Sequence, residues 1–215
     1  MTANYCSRPV FPGRVPEASK AKRVRAARKL RAVDVPEARI ETDENGAAAV
    51  TDGWFVLNAR DARWRHRPGR GDVLSFDDEA APFAQVGVNI FVLGPGEPMS
   101  MYHWEADQED FLVLSGEALL IIDGEERPLR QWDFVHKPPG ACHTIVGAGS
   151  GPCAIVAVGA RDHQDGDGWG GYPLDDVAAR HNAAAEHDTS DPREAYARFE
   201  PGRPAPYREG LLPDL

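Results

Sequence analysis

The amino-acid sequence predicts an all-β domain, a sandwich or a barrel, in the central part of the chain. Short apolar or β-branched segments follow one another between residues 83 and 160, and turn-forming residues separate them. Short strands at this close spacing are typical of sandwiches and barrels. The pair Asp123-Gly124 lies between two extended segments and is a strong local signal for a β-hairpin. Local sequence alone therefore indicates one strand pair.

Residues 1–52 are interpreted as a basic N-terminal arm with one helix. The first 40 residues contain ten Lys and Arg, which makes this segment positive within an acidic chain. Residues 1–17 are rich in Pro and turn formers, whereas residues 18–33 have a helix-forming composition with apolar residues near helical spacing. We expect a solvated helix or a loose arm, or an arm that docks on the acidic body of its own chain.

The barrel is predicted to span residues 53–160, with its core over residues 85–160. The predicted strands cover residues 54–58, 72–76, 86–93, 109–114, 118–122, 133–136, 143–146 and 154–158. The first two precede the core and are expected to extend the barrel or a dimer interface.

Residues 161–215 are predicted to form a C-terminal helical and Pro-rich tail that packs on the barrel. Helix candidates cover residues 174–186 and 191–199. Asp191 followed by Pro192 places a cap residue before a Pro at the first helical position, as helix starts prefer. Four prolines after residue 200 indicate an extended end.

Composition and charge disfavour several classes of function. With 42% hydrophobic residues the chain can bury a core. The net charge of −10 disfavours nucleic-acid binding, because phosphates repel an acidic surface. No apolar run approaches the roughly 18 residues that span a bilayer, and the N-terminus lacks the apolar stretch of a signal peptide. We therefore expect a cytoplasmic protein that binds neither nucleic acid nor membrane.

Three potential metal ligands, His103, Glu105 and Glu109, occupy odd positions of the sequence. On a strand with only local distortion, their side chains leave the same face. His143 follows the turn-forming sequence Pro138-Pro139-Gly140, which can direct the next strand back toward this face. Mixed imidazole and carboxylate donors suit divalent Mn, Fe, Co, Ni or Zn better than Ca or Mg, which prefer oxygen ligands.

These residues resemble the first sequence motif of the cupins, a superfamily of double-stranded β-helix, or jelly-roll, barrels. That motif reads G, five residues, H-x-H, three or four residues, E, six residues, G. Here His103-Trp104-Glu105 is followed after three residues by Glu109 and after six more by Gly116. The first Gly of the motif is displaced, because Gly96 stands one position too early.

The second cupin motif reads G, five residues, P-x-G, two residues, H, three residues, N. Here Trp132 is followed at the same spacings by Pro138-Pro139-Gly140, His143 and Gly147. Trp132 and Gly147 replace the Gly and the Asn of the motif. The two motifs together, with a strand pair between them, are far more specific than either alone.

The resemblance implies that one divalent transition metal ion, Mn, Fe, Ni or Zn, is bound inside the barrel by His103, Glu105, Glu109 and His143. Glu105 stands where a His is usual, so two imidazoles and two carboxylates would neutralise the dication and favour a harder metal. If Glu105 does not coordinate, the other three form a two-His, one-carboxylate set with open positions, as in non-haem iron oxygenases.

Met99, Met101, Phe111 and Val113 share the inward face of the ligands and are predicted to line an apolar substrate pocket. The leading hypothesis is a metal-dependent enzyme, a dioxygenase or an isomerase, acting on a small organic substrate. The alternative is a non-catalytic small-molecule-binding cupin with a structural metal. A homodimer is expected, because the edges of the barrel need covering.

Overall fold

The computed structural model describes residues 34–163 and 168–213. Over these ranges the regular secondary structure is mainly β-strand, with two short helices near the C-terminal end. The elements are β1 (Ile40–Asp43), β2 (Gly46–Ala49), β3 (Trp64–His66), β4 (Asp72–Ser75), β5 (Val86–Leu93), β6 (Trp104–Glu105), β7 (Glu109–Ser115), β8 (Glu117–Ile122), β9 (Glu125–Arg130), β10 (Phe134–Lys137), β11 (His143–Ala148), β12 (Cys153–Ala160), β13 (Gly170–Gly171), α1 (Asp176–Arg180), α2 (Pro192–Ala195) and β14 (Arg203–Ala205). The helix predicted over residues 18–33 lies outside the described residues.

Two antiparallel sheets form the body of the domain. The larger sheet has seven strands in the order β10-β7-β12-β5-β4-β3-β14, and the smaller has three in the order β11-β8-β9. Short two-stranded pairs, β1 with β2 and β6 with β13, are added outside them. This arrangement confirms the all-β architecture predicted for the centre of the chain.

The main hydrophobic core lies between these two sheets. Phe111 and Val113 of β7 and Ile155 of β12 belong to the larger sheet, whereas Leu120 of β8 and Ile145 of β11 belong to the smaller. All five are buried, and burial of each such side chain contributes about 1.5–3 kcal/mol relative to exposure. Alternation along β7 and β12 directs these side chains inward, as the period of two in a strand requires.

The predicted hairpin is present as β8 and β9. Ile122 pairs with Glu125, so the connection consists of Asp123 and Gly124 alone. Their φ angles are 47° and 75°, the left-handed conformation that a two-residue hairpin turn with matching strand twist requires at both positions.

The segments that flank the core differ from the prediction in detail. A β-hairpin, β1 and β2, lies within the segment interpreted as an arm, and residues 54–58 contribute only an isolated bridge from Trp54 to Glu37. Helix α1 is shorter than the predicted segment 174–186, because Asn182 just beyond its end adopts a left-handed φ of 55°. The tail contributes β14, which pairs with β3 at the edge of the larger sheet. No helix in the described part of the chain is long and apolar enough to cross a bilayer.

Candidate metal centre

Two histidines from distant parts of the sequence are held side by side by a backbone bridge. His103 N–H donates to the His143 carbonyl at 3.1 Å, and His143 N–H donates to the His103 carbonyl at 2.8 Å. Their rings lie 4.8 Å apart between centroids. His143 is at the start of β11, beyond the Pro-Pro-Gly turn, so the structure places it as the sequence predicted.

Glu109 brings a carboxylate to these rings from the larger sheet. It begins β7, where it pairs with Lys137 of β10 and Gly159 of β12. Its Oε2 lies 3.3 Å from Nε2 of His143 and also 3.3 Å from Nζ of Lys137. Both ring nitrogens of His143 are buried and have no hydrogen-bond partner among the described residues, so in the tautomer protonated at Nδ1 the lone pair of Nε2 is available to an ion.

His103, Glu109 and His143 form a compact donor set. One ligand atom from each lies within 4.8 Å of the other two. A single ion with bonds of about 2.0–2.2 Å to nitrogen and oxygen holds its ligand atoms at most about 4.4 Å apart. Small movements of the side chains would bring the three ligand atoms within this limit. The set combines two imidazoles with one carboxylate, the donors that divalent transition metals accept.

The contacts of the His103 ring explain its orientation toward the site. Nδ1 of His103 lies 2.8 Å from the Met101 carbonyl, and as a donor there it leaves Nε2 to face the site. Nε2 in turn lies 3.2 Å from Oε1 of Glu105. A ligand imidazole held through its other nitrogen is a usual device for orienting a metal-binding histidine. Glu105 therefore borders the site through His103, while the donor set within 4.8 Å contains only the other three residues.

The charges in the site act strongly on one another because it is buried. Burial raises the pKa of Glu109, although the charges of His103 and Lys137 oppose this. Burial would lower the pKa of His103, but its hydrogen bond to Glu105 and the charge of Glu109 raise it. Burial and the charge of His103 lower the pKa of His143 well below its ordinary value. His143 is therefore neutral at physiological pH, the form that binds a metal.

A cavity of about 400 Å³ opens onto His103, Glu105 and Glu109, whereas His143 is fully buried and does not line it. Of the four predicted pocket residues, Met99 and Phe111 line it. Val113 lies instead in the core between the sheets, and Met101 packs with Tyr172 in a separate buried cluster. Strand parity predicted that all four face inward, but it does not distinguish the depth at which each side chain lies.

Sequence reasoning missed Lys137, whose side chain is fully buried beside Glu109. Its Nζ donates to the Asp107 carbonyl at 2.9 Å. In the sequence Lys137 is marked only by its place directly before the Pro138-Pro139-Gly140 turn. In the structure it is the last residue of β10 and pairs with Glu109 of β7. The register became visible only in the folded sheet.

Comparisons with known proteins agree with this architecture. Residues 89–159 match the family described as the cupin domain, and this range contains all four predicted ligands. No curated protein gives a significant match.

Among solved structures, the similarity extends over about half of this chain. The proposed sugar phosphate isomerase from Acidithiobacillus ferrooxidans is 23% identical with a TM-score of 0.37, over 44% of this chain and 62% of that one. A sugar phosphate isomerase of the cupin superfamily from Silicibacter pomeroyi is 28% identical with a TM-score of 0.38, over 50% and 68%. The polyketide cyclase RemF from Streptomyces resistomycificus is 14% identical with a TM-score of 0.43, over 50% and 80%. The chain thus spans less than two thirds of the first of these proteins.

Proposed function

From the cupin domain that this chain carries, we infer that the protein is a metal-dependent enzyme acting on a small organic substrate, of the oxygenase or isomerase type. The observation that carries the proposal is the buried Nε2 of His143, which has no hydrogen-bond partner in the described ranges and faces Glu109 at 3.3 Å. Leaving such an atom unsatisfied costs free energy, and a metal ion would remove that cost.

The residues present fit one divalent transition metal. We propose that His103, Glu109 and His143 hold it and that Glu105 is the fourth ligand, since Oε1 of Glu105 and Nε2 of His103 converge at 3.2 Å. Two carboxylates and two imidazoles match the charge of Mn, Fe, Ni or Zn in the divalent state.

When bound, the ion would supply Lewis acidity toward an oxygen atom of the substrate. The protein contributes the rest. Phe111 and Met99 provide apolar wall beside the ligands and exclude water from the reacting end of the substrate. Glu105 is half-buried and faces the cavity, so it is placed to accept a proton from the substrate when its carboxylate is free.

A second candidate function is non-catalytic binding of a small molecule with a structural metal. It is favoured by the same four-ligand arrangement, because four protein donors leave few open positions for a substrate on the ion. Iron that copurifies, together with oxygen consumption on candidate phenols or thiols, would support the enzyme. Tightly held zinc that no substrate analogue perturbs would support the binding protein.

Metal content of purified variants tests the site itself. We expect about one transition metal ion per chain in the wild type and loss of the ion in Glu109→Gln, because a buried carboxylate ligand is removed. Glu105→Ala should retain the ion but bind it about tenfold to 100-fold more weakly. Elemental analysis and competition with a chelator provide the two readouts.

The matched control is Asp110→Asn. Asp110 follows Glu109 on β7, but its carboxylate pairs with Nδ1 of His136 at 2.7 Å and does not belong to the donor set. The control should keep the wild-type metal content. The metal site is rejected if the wild type stays empty after supply of Mn, Fe, Ni and Zn, or if Glu109→Gln holds as much metal as Asp110→Asn.

We also propose that the protein works as a homodimer in the cytoplasm, with a small molecule and not nucleic acid as its partner. The net charge of −10 supports the exclusion of nucleic acid. The exposed apolar rings of Trp132 and Phe134 at one sheet edge support the homodimer.

A further inference from the structure

A tight turn between β3 and β4 carries two arginines to the cavity. The turn reads Arg67-Pro68-Gly69-Arg70, with the Arg70 N–H donating to the Arg67 carbonyl at 2.8 Å. Pro at the second position and Gly with a φ of 73° at the third are the signature of a type II turn. Both arginines line the same cavity as His103 and Glu109.

Arg67 is a buried cation with only neutral hydrogen-bond partners. It is 7% exposed, and its Nη1 and Nη2 donate to the carbonyls of Met99 at 3.1 Å and Arg70 at 2.7 Å. Its Nε has no partner among the described residues. Burial and the charge of Arg70 lower the pKa of Arg67 to about 10, so it remains protonated at neutral pH.

The side chain of Arg70 makes fewer hydrogen bonds to the protein than that of Arg67. Its side chain donates no hydrogen bond to any residue in the described ranges, and its buried Nε is unpaired. It lies instead over two aromatic rings, 4.3 Å from the centroid of Tyr196 and 5.4 Å from that of Phe199. Such ring contacts hold a guanidinium in place while leaving its N–H groups available.

No carboxylate in the described part of the chain forms a salt bridge with Arg67 or Arg70. Asp72 and Glu97 affect Arg67 only at longer range. Asp72 is already occupied by His66 at 2.9 Å and Arg208 at 2.6 Å. Two neighbouring cations that are partly withdrawn from water and lack a counter-ion cost free energy, which an incoming anion would recover.

A wall of aromatic rings connects this pair to the metal ligands. The Tyr172 ring stacks on His103 with centroids 5.7 Å apart and meets the Tyr196 ring edge-on, also at 5.7 Å. The Tyr196 hydroxyl accepts the Met101 N–H at 3.1 Å, which fixes the ring that supports Arg70. The arginines and His103 therefore belong to one continuous wall of the cavity.

We propose that Arg67 and Arg70 form an anion-binding subsite that holds the carboxylate or phosphate group of the substrate. A guanidinium fork binds either oxyanion through paired N–H groups, and two forks on one turn provide several such donors. The aromatic walls of the cavity, with Phe91 and Trp169, suit an organic body between the anion and the metal ligands. This inference rests on the proposed function only for the end of the substrate that reaches the metal.

Binding of simple anions to the metal-free full chain tests the subsite without the ion. The probes are inorganic phosphate and benzoate, measured by calorimetric titration at constant ionic strength. We expect the wild type to bind at least one of them, and Arg70→Gln to weaken that binding about tenfold or more, since a charge-assisted contact is lost. Whichever probe binds identifies the oxyanion.

Arg65→Gln is the matched control. Arg65 lies on β3 with its side chain exposed, donates to the Gly202 carbonyl and does not line this cavity. It should bind the probe as the wild type does, and Arg70→Lys should recover part of the affinity. Arg67 is more buried than Arg70, and Arg67→Gln is expected to weaken binding as well. Thermal unfolding of this variant shows whether it is folded.

The subsite is overturned if neither probe binds the wild type, or if Arg70→Gln binds as tightly as Arg65→Gln. Metal content is measured on the same preparations before the ion is removed. An empty wild type whose phosphate or benzoate affinity still depends on Arg70 would reject the proposed function and keep the subsite. A wild type that contains metal but binds neither phosphate nor benzoate would keep the proposed function and reject the subsite.

Discussion

Trp132 occupies the position at which the second cupin motif has Gly, and its backbone shows the physical reason for the motif. Its φ is 74°, in the left-handed region that a side chain with a Cβ rarely adopts. The conformation is imposed by the turn before β10, where the Trp132 N–H donates to the Val113 carbonyl at 2.8 Å. A bulky residue there costs about 1–2 kcal/mol.

The strain at Trp132 leads to a prediction that compares two substitutions. Trp132→Gly is expected to be more stable than Trp132→Ala by about 1 kcal/mol, because only Gly adopts this φ without steric cost. Both variants lose the indole, so the difference between their free energies of unfolding reports the cost of the left-handed backbone conformation. Urea denaturation gives the two free energies of unfolding, and an Ala variant as stable as the Gly variant would contradict the strain.

The donors of the candidate metal site were predictable at this scale, whereas the anion subsite was not. Strand parity relates His103 to Glu109, and the resemblance to the second cupin motif adds His143. Arg67 and Arg70 join them only because β4 pairs with β5 and carries its turn to the cavity. That pairing is tertiary, and an Arg-rich, Pro- and Gly-containing stretch by itself indicates no more than a turn.

At the scale of elements, two glycine turns bracket β8 and differ in what lies behind them. Gly116 joins β7 to β8 with a φ of 74°, and a Cβ added there would lie 2.5 Å from the Pro152 carbonyl oxygen. Gly124 in the β8–β9 turn has a φ of 75°, but its nearest neighbour would be an Asp175 side-chain oxygen at 3.4 Å. The two turns therefore share backbone strain and differ in steric clash.

This difference predicts the relative cost of two alanine substitutions. Gly124→Ala should destabilise the fold by about 1–2 kcal/mol, the cost of a left-handed conformation alone. Gly116→Ala should cost about 1–3 kcal/mol more, because backbone atoms on both sides must move apart. Chemical denaturation of the two variants beside the wild type tests the order, and equal losses would show that the turn at Gly116 relaxes freely.

Elements with strong local signals were predicted well, and those that depend on partners were not. The β8–β9 hairpin follows from Asp123-Gly124, because few other residue pairs adopt its turn. Strands β3 and β14 escaped prediction, since each has three residues and β14 contains Pro204. Their strand conformation arises from pairing, of β3 with β4 and β14 and of β14 with β3, which no local preference encodes.

At the scale of the whole molecule, the edges of the two main sheets are protected unequally. Strand β9 is largely exposed and carries charges together with Pro128, and β14 carries Arg203 and Pro204, all features that discourage edge pairing. Strand β11 is almost entirely buried. Strand β10 contains no Pro and leaves Phe134 63% exposed.

The unprotected edge predicts how two copies of the chain associate. Trp132 and Phe134 expose apolar rings beside β10, and a second copy related by a two-fold axis would cover them with the same pair. Light scattering coupled to size exclusion should therefore give twice the monomer mass of 23.5 kDa. Phe134→Lys should shift the protein to monomer, because each interface would then bury two unpaired cations.

Val56→Lys provides the control for this substitution. Val56 is 86% exposed and lies outside every named strand, so a lysine there changes charge and surface hydrophobicity without touching the β10 edge. It should remain dimeric at the concentration at which Phe134→Lys is monomeric. A monomeric wild type would reject the homodimer. A Phe134→Lys variant that stays dimeric would keep the homodimer but move its interface away from β10, since an edge interface does not tolerate two lysines at its centre.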